Sequence, residues 1–203
     1  MWAIIPINTF SKSLSRLSPI LDLDERIELA KNLSTRLIHI LVPMKGIEKV
    51  IVFTSETNWS KKIKHSKLII HEDKGQQSFK RKIDSVADMA CGMGAKKLIY
   101  LSIDLPLVEE KDIIRMIESH SEGLTIVEAK KDGGTNALIC DLPRRISFQF
   151  GTNSFRKHVQ ASKIEKLKTN IQSIEGLSFD LDDQDDWEYL VKRYQPEKNP
   201  LKI

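Results

Sequence analysis

Four short segments of this 203-residue chain carry the residue types that handle phosphates and metal ions. The first, Asp132-Gly133-Gly134-Thr135-Asn136-Ala137-Leu138, joins two glycines to a hydroxyl and a carboxamide. Glycine reaches backbone conformations closed to other residues and lets a ligand approach the main chain. Ala137-Leu138-Ile139-Cys140 then reads as a strand entering a core. A polar glycine loop opening on a buried strand suits a small anion, although Asp-Gly and Gly-Gly are also ordinary hairpin turns. The second segment is Ser102-Ile103-Asp104-Leu105-Pro106-Leu107. Asp104 follows a strongly apolar run, and Pro106 stops a regular ladder. A carboxylate held among apolar residues needs a partner. Magnesium, which prefers oxygen ligands, is one choice, and a cap or turn role is the other. The third segment is Asp180-Leu181-Asp182-Asp183, with Asp185 and Asp186 beyond it. Asp180 and Asp182 share one face if extended, while Asp183, Asp185 and Asp186 suit a helix N-terminus. The fourth, Ile7 to Ser18, carries Lys12, Arg16 and the serines Ser11, Ser13, Ser15 and Ser18. Hydroxyls and two cations before a helix suit a polyphosphate. The segment has no glycine, so it is not a Walker P-loop, and a basic surface loop is the plainer alternative.

Other chemistries find less support. His39, His65, His71 and His120 show no metal-ligand pairing, and no Gly-x-Ser-x-Gly elbow is present. Met89 and Met93 read as a core stripe. Lys61, Lys62, Lys64 and Lys67 cluster near Trp59 without an arginine, which reads as solvated surface and not as a nucleic-acid interface. The net charge of +4 suits a small anionic substrate. Cys91 and Cys140 lack metal-type spacing and are expected to be reduced. No apolar run approaches the ~20 residues of a membrane span. Met-Trp-Ala-Ile-Ile-Pro has no basic residue before it, so a cytoplasmic protein is expected.

The elements that must hold these residues alternate. Trp2 to Pro6, Lys49 to Thr54, Lys67 to His71, Lys97 to Leu101 and Leu124 to Ala129 read as strands. Asp24 to Leu41, Ser78 to Met93 and Glu109 to Ser119 read as amphipathic helices, the second ended by glycine. This order predicts an α/β domain over residues 1–194, with a mostly parallel sheet covered on both faces. After Asp132 the pattern turns irregular, with short strands and loops as far as Gly176. Leu177 to Asp180 then reads as a strand, Asp183 to Tyr194 as a helix, and 195–203 as a frayed tail. In such sheets ligands bind beyond the carboxyl ends of the strands, where the four segments fall.

In these segments the chain resembles the 2-phospholactate or phosphoenolpyruvate guanylyltransferases of deazaflavin coenzyme F-420 biosynthesis. That family lies within the molybdopterin-guanylyltransferase-like nucleotidyltransferases. The resemblance runs over roughly residues 1 to 190. It rests on Met1-Trp-Ala-Ile-Ile-Pro-Ile7, Ser15-Arg-Leu-Ser18, Asp104-Leu-Pro-Leu107, Asp132-Gly-Gly-Thr-Asn-Ala-Leu138, Phe150-Gly-Thr-Asn-Ser-Phe-Arg-Lys-His158 and Asp180-Leu-Asp182. It implies a three-layer, Rossmann-like nucleotide-diphospho-sugar-transferase fold. It also implies a magnesium-dependent enzyme that joins GMP from GTP to a small phospho-acid and releases pyrophosphate. Asp104 and Asp180 would hold magnesium, with Asp182 as the alternative ligand. Thr135, Asn136, Gly151 and Ser154 would grip the acceptor acid. Arg16 and Ser15 would meet the triphosphate, and Gly75 lies where the family shapes its nucleotide pocket. Leu14 and Asn8 stand where the family usually carries lysines, and Gly75-Gln76-Gln77-Ser78 replaces its Gly-Leu-Asn. Lys12 is placed to supply the missing cation. The alternatives are a different acceptor, such as a molybdopterin or sugar phosphate, or a nucleotide-binding module without catalysis. Oligomeric state stays open, a homodimer included.

Overall fold

The apolar runs Trp-Ala-Ile-Ile-Pro-Ile and Lys-Val-Ile-Val-Phe-Thr lie side by side as parallel strands β1 (Trp2–Ile7) and β2 (Lys49–Thr54) in the computed structural model. The structure describes residues 1–75, 77–143 and 145–194. Every residue of β1 is buried, as in a parallel sheet covered on both faces. β3 (Leu68–Glu72), β4 (Lys97–Leu101), β5 (Leu124–Ala129), β6 (Gly134–Asp141) and β7 (Thr169–Gln172) complete one sheet of order β3-β2-β1-β4-β6-β5-β7. Only β6 runs against its neighbours, between β4 and β5. The expected mixed, mostly parallel α/β sheet is therefore present.

Side chains alternate across the sheet. Ala3, Ile5, Val50, Val52 and Ile99 meet α1 (Leu23–Leu41) and α4 (Glu110–Ser119) on one face. Trp2, Ile4, Ile51, Leu98 and Tyr100 meet α3 (Phe79–Gly92) on the other. A short helix, α2 (Thr57–Ser60), follows β2. α1 starts where expected because Asp22 accepts from Glu25 N at 2.9 Å while Glu25 accepts from Asp22 N at 2.8 Å. A third cluster, Leu17, Leu21, Leu29, Leu33, Leu181 and Leu190, packs the loop after β1 against the C-terminal segment and α7 (Gln184–Arg193). No described helix is long and apolar enough to cross a membrane.

Several expectations are corrected. Leu177 to Asp180 is not a strand: Glu175–Ser178 forms a helical turn, α6. Gly176 makes that turn possible, since a Cβ there would lie 2.2 Å from Asp112 Oδ2 and 2.9 Å from Leu107 O. Asp180 and Asp182 therefore sit on irregular backbone and not on a strand face. The stretch expected to hold short strands and loops does hold a short strand, β7, but also an unexpected helix, α5 (Ser154–Ile164). The fully buried residues of α5 are Ser154, His158 and Ser162, and its apolar Phe155, Val159 and Ala161 pack on the core only partly buried, which leaves a weak apolar period. Gly134, Thr135 and Asn136 lie inside β6, and residues 130–133 form the hairpin from β5. The hairpin and anion-loop readings thus describe adjacent residues. Met89 packs on the core, but Met93 is 55% exposed. The calls on Gln76 and 195–203 lie outside the described residues.

Gly123, at φ +76°, joins β5 to the neighbouring β7 segment, where a Cβ would lie 2.3 Å from Lys168 O. Gly123→Ala is expected to cost about 1–3 kcal/mol through backbone strain, lowering Tm by about 2–4 °C per kcal/mol. Thermal denaturation checks this, and an unchanged Tm would refute it.

Candidate functional site

The strand order reverses at β1, whose neighbours are β2 on one side and β4 on the other. The crevice beyond the carboxyl ends of β1 and β4 is where such sheets bind ligands. Asp104 lies there, three residues past β4. Two main-chain bonds fix its surroundings: Ser102 N donates to Asn136 O at 2.9 Å, and Leu181 N donates to Asp104 O at 2.9 Å. They draw Asp104, Asn136 and Asp180 together from three distant parts of the chain.

The electrostatics of this group are unfavourable without a cation. Asp104 Oδ1 is sealed from solvent and has no hydrogen-bond partner. Burial pushes the Asp104 pKa up; the Ser102 hydroxyl pulls part of that back, and the charges of Asp182 and Asp132 add to the rise. Asp180 is pushed up to about 7, by burial first and then by Asp104 and Asp182. Asp182 is also raised by burial, with Arg16 opposing. Asn136 is buried, and its Nδ2 has no hydrogen-bond partner. The amide lies near enough to Asp180 to offset a little of its rise, without closing a bond that satisfies Nδ2. An orphaned acceptor and an orphaned donor thus lie in one crevice, chemistry matched to a cation beside an anion.

Two of the sequence-predicted acceptor residues, Thr135 and Ser154, are brought together, with His158 beside them. Ser154 Oγ donates to Thr135 Oγ1 at 3.0 Å, and His158 Nδ1 lies 2.9 Å from the same oxygen. Gln149 N donates to His158 Nε2 at 2.7 Å. Phe155 N donates to Gly133 O at 3.1 Å, docking the start of α5 on the hairpin. Gly133, at φ +69°, leaves room for that contact: a Cβ would sit 3.2 Å from Asn153 Oδ1. Gly151, at φ +103°, faces open space. The sequence reading left His158 and Gln149 without a role. The signal for His158 was its place one helical turn after Ser154.

The cations stand at the rim. Lys12 shares a cavity of about 200 Å³ with Asn8, Leu14, Phe79, Tyr100 and Asp104. Leu14 holds a left-handed conformation (φ 52°) ahead of the 3-10 turn Ser15–Leu17. Arg16 Nη1 pairs with Asp182 Oδ2 at 2.9 Å while its side chain is 64% exposed. Ser15 is exposed on the same turn. Gly75 lies elsewhere, in a separate cavity of about 400 Å³ with Phe53, His71, Asp73 and Lys82. There Gly75 N donates to Asp73 Oδ1 at 2.8 Å, and Lys82 Nζ binds Asp73 Oδ2 at 2.7 Å.

No group of three or more His, Cys, Asp or Glu side chains closes into a metal cage among the described residues. The donor set still fits magnesium, which is commonly held by one or two carboxylates and completed by substrate phosphates and water. The remaining aspartates act as caps. Asp183 accepts from Asp185 N and Asp186 N, and Asp186 Oδ2 accepts from Asp182 N and Asp183 N. His120 sits apart, beside Thr125 Oγ1 at 2.9 Å and Asp141 Oδ1 at 3.4 Å.

Comparison with known proteins agrees with this geometry. The family described as "Guanylyl transferase CofC like" matches residues 1–194. The chain is 26% identical to a 2-phospho-L-lactate guanylyltransferase of Methanobrevibacter ruminantium, over 92% of this chain and 82% of that protein. It is 27% identical to a phosphoenolpyruvate guanylyltransferase of Rubrobacter xylanophilus, over 92% of this chain and 91% of that one. Among solved structures, a Desulfovibrio desulfuricans G20 protein described as a nucleotide-diphospho-sugar transferase superposes with a TM-score of 0.76. It covers 96% of this chain and 87% of its own at 11% identity, a likeness of fold.

Asp180 gives a signed pH prediction. Its folded pKa, about 7, lies above the 3.8 of an unperturbed aspartate. Ionisation therefore destabilises the fold progressively as pH rises from about 4 to 7, and the whole penalty stands above that range. In chelator, Asp180→Asn is expected to raise Tm more at pH 8 than at pH 4. An equal shift at both pH values would contradict the crowding of charge at this site.

Proposed function

This chain belongs to the CofC-like guanylyl transferase family, and we propose that it joins GMP from GTP to a small phospho-acid, 2-phospholactate or phosphoenolpyruvate, in coenzyme F-420 biosynthesis. The observation that carries this reading is the sealed, unpartnered Asp104 Oδ1 beside the unpartnered Asn136 Nδ2. A metal ion with an anionic substrate satisfies both atoms at once. The two curated relatives compared above are named for these two acids.

An oxygen of the acceptor phosphate attacks the α-phosphorus of GTP, and the bond from that phosphorus to the bridging oxygen of the β-phosphate breaks. Pyrophosphate leaves and a diphosphate-linked product remains. The acceptor is already an anion, so no protein nucleophile is needed, and catalysis is positioning plus charge neutralisation. Asp104 and Asp180 would hold magnesium, with Asp182 less available because Arg16 occupies it. When bound, the ion supplies Lewis-acid neutralisation of the reacting phosphates. Thr135 and Asn136 would present donors to the acceptor, Ser154, whose own proton goes to Thr135, would hold that hydroxyl in place, and Gly151 leaves the approach open. Lys12 and Arg16 face the triphosphate from the rim. Arg16 must exchange Asp182 for phosphate, a trade its exposure makes cheap.

The test is pyrophosphate release with GTP, magnesium and each acid in turn. Asp104→Asn, which keeps shape and removes charge, is expected to cut the rate at least about 100-fold with Tm undiminished. Wild-type turnover in that variant would refute the metal role.

The loop after β1 supplies a second test. Lys12→Ala is expected to raise the KM for GTP roughly 2- to 5-fold, the scale of a partly exposed ion pair. Leu14→Lys in that background should recover part of the loss. An unchanged KM for GTP in Lys12→Ala would remove this loop from the triphosphate site.

A further inference from the structure

The hydrogen bonds behind Thr135 admit one arrangement of protons. The Gln149 main-chain N–H can only donate, and it points at His158 Nε2 from 2.7 Å. Nε2 is therefore the unprotonated nitrogen. A neutral imidazole carries a single proton, which must then lie on Nδ1. Nδ1 lies 2.9 Å from Thr135 Oγ1 and donates to it. Ser154 Oγ donates to the same oxygen from 3.0 Å. A hydroxyl oxygen has two lone pairs, and both are now taken. Thr135's own proton has no acceptor among the described residues and must point away from His158 and Ser154.

Burial supports this protonation state. His158 is fully enclosed, and burial lowers its pKa to about 4, with Lys157 acting in the same direction and Asp84 against it. The edges of Phe148 and Phe150 pack against the ring, at centroid distances of 6.4 and 5.3 Å. The same wiring excludes His158 as a general base, because Nε2 is already occupied and Nδ1 already carries its proton.

We propose that His158 is a positioning residue for the acceptor. Anchored by the Gln149 backbone, it fixes the Thr135 hydroxyl as a one-way donor to an anionic oxygen of the phospho-acid. A free hydroxyl would otherwise divide its proton between protein and ligand. This inference rests on the reading of Thr135 as an acceptor-binding residue, and its test separates the two.

The test uses steady-state kinetics of the full chain with GTP, magnesium and phosphoenolpyruvate or 2-phospholactate, whichever turns over faster. Thr135→Val keeps the shape and removes the hydroxyl. It is expected to raise the KM for the acid about tenfold or more, as for a lost bond to a charged group, and to leave the KM for GTP unchanged. His158→Gln can keep an acceptor near Nε2 but loses the donor at Nδ1, and should raise the acid KM similarly. His158→Asn can keep the donor at Nδ1 and should recover part of that loss. In a Thr135→Val background, His158→Gln should add nothing further. Additive effects, or recovery by Gln in place of Asn, would overturn the inference and leave His158 as a prop for the Gln149 backbone. An unchanged acid KM in Thr135→Val would overturn the acceptor site itself. If the His158 variants do not fold, nitrogen-15 NMR of the wild-type protein decides: the Nδ1–H tautomer supports the proposal, and the Nε2–H tautomer or an imidazolium refutes it.

Discussion

Asp104, Asp180 and Asp182 are held in one another's field without a matching positive charge inside, and much of the structure exists to keep them there. Burial raises each carboxyl first, and neighbouring carboxylates add to the rise, Asp182 at Asp104, Asp104 and Asp182 at Asp180, and Asp132 and Asp186 at Asp182, where Arg16 opposes it. The backbone does not let them separate. Leu181 N is bonded to Asp104 O, and Leu181 is buried with Leu17, Leu29 and Leu190. Asp182 and Asp183 donate their N–H groups to Asp186, which belongs to the cap of α7. Strain of this kind persists where surroundings over-determine it, and it clusters at functional sites.

The two halves of the site rest on different supports. The proposed acceptor side is built on β6 and the start of α5, elements locked to each other through Gly133, Thr135 and Ser154. An aromatic run of Tyr100, Phe150 and His158, with centroids 4.3 and 5.3 Å apart, carries that rigidity from β4 to α5. The proposed triphosphate side is built on 3-10 turns with exposed Lys12, Ser15 and Arg16. A fixed acceptor cradle facing adaptable cations suits a reaction in which a long triphosphate enters, splits and leaves in two pieces.

The sheet and its principal helices were legible because their apolar residues repeat with period 2 or near 3.6. Asp104, Thr135, Asn136 and Asp180 were legible as polar groups at the edges of apolar runs. α5 was not, because its fully buried residues are Ser154, His158 and Ser162, bonded to Thr135 and Thr169, while its apolar Phe155, Val159 and Ala161 are only partly buried. The short run Leu177-Ser178-Phe179-Asp180 read as a strand because it alternates apolar and polar residues, over too few positions to exclude a helical turn. The clash a side chain at Gly176 would make with Asp112, which shows the tight packing of that turn, exists only in three dimensions. The orphaned state of Asp104 Oδ1 and Asn136 Nδ2 has no sequence signature, since it depends on what fails to approach them.

The central claim is that the crowded carboxylates await a divalent cation. Electron paramagnetic resonance of Mn²⁺ titrated into the protein with GTP present tests it directly. The account predicts that the wild-type protein takes up manganese and that Asp104→Asn loses most of that uptake while retaining its fold. Equal manganese binding by the two proteins would contradict it.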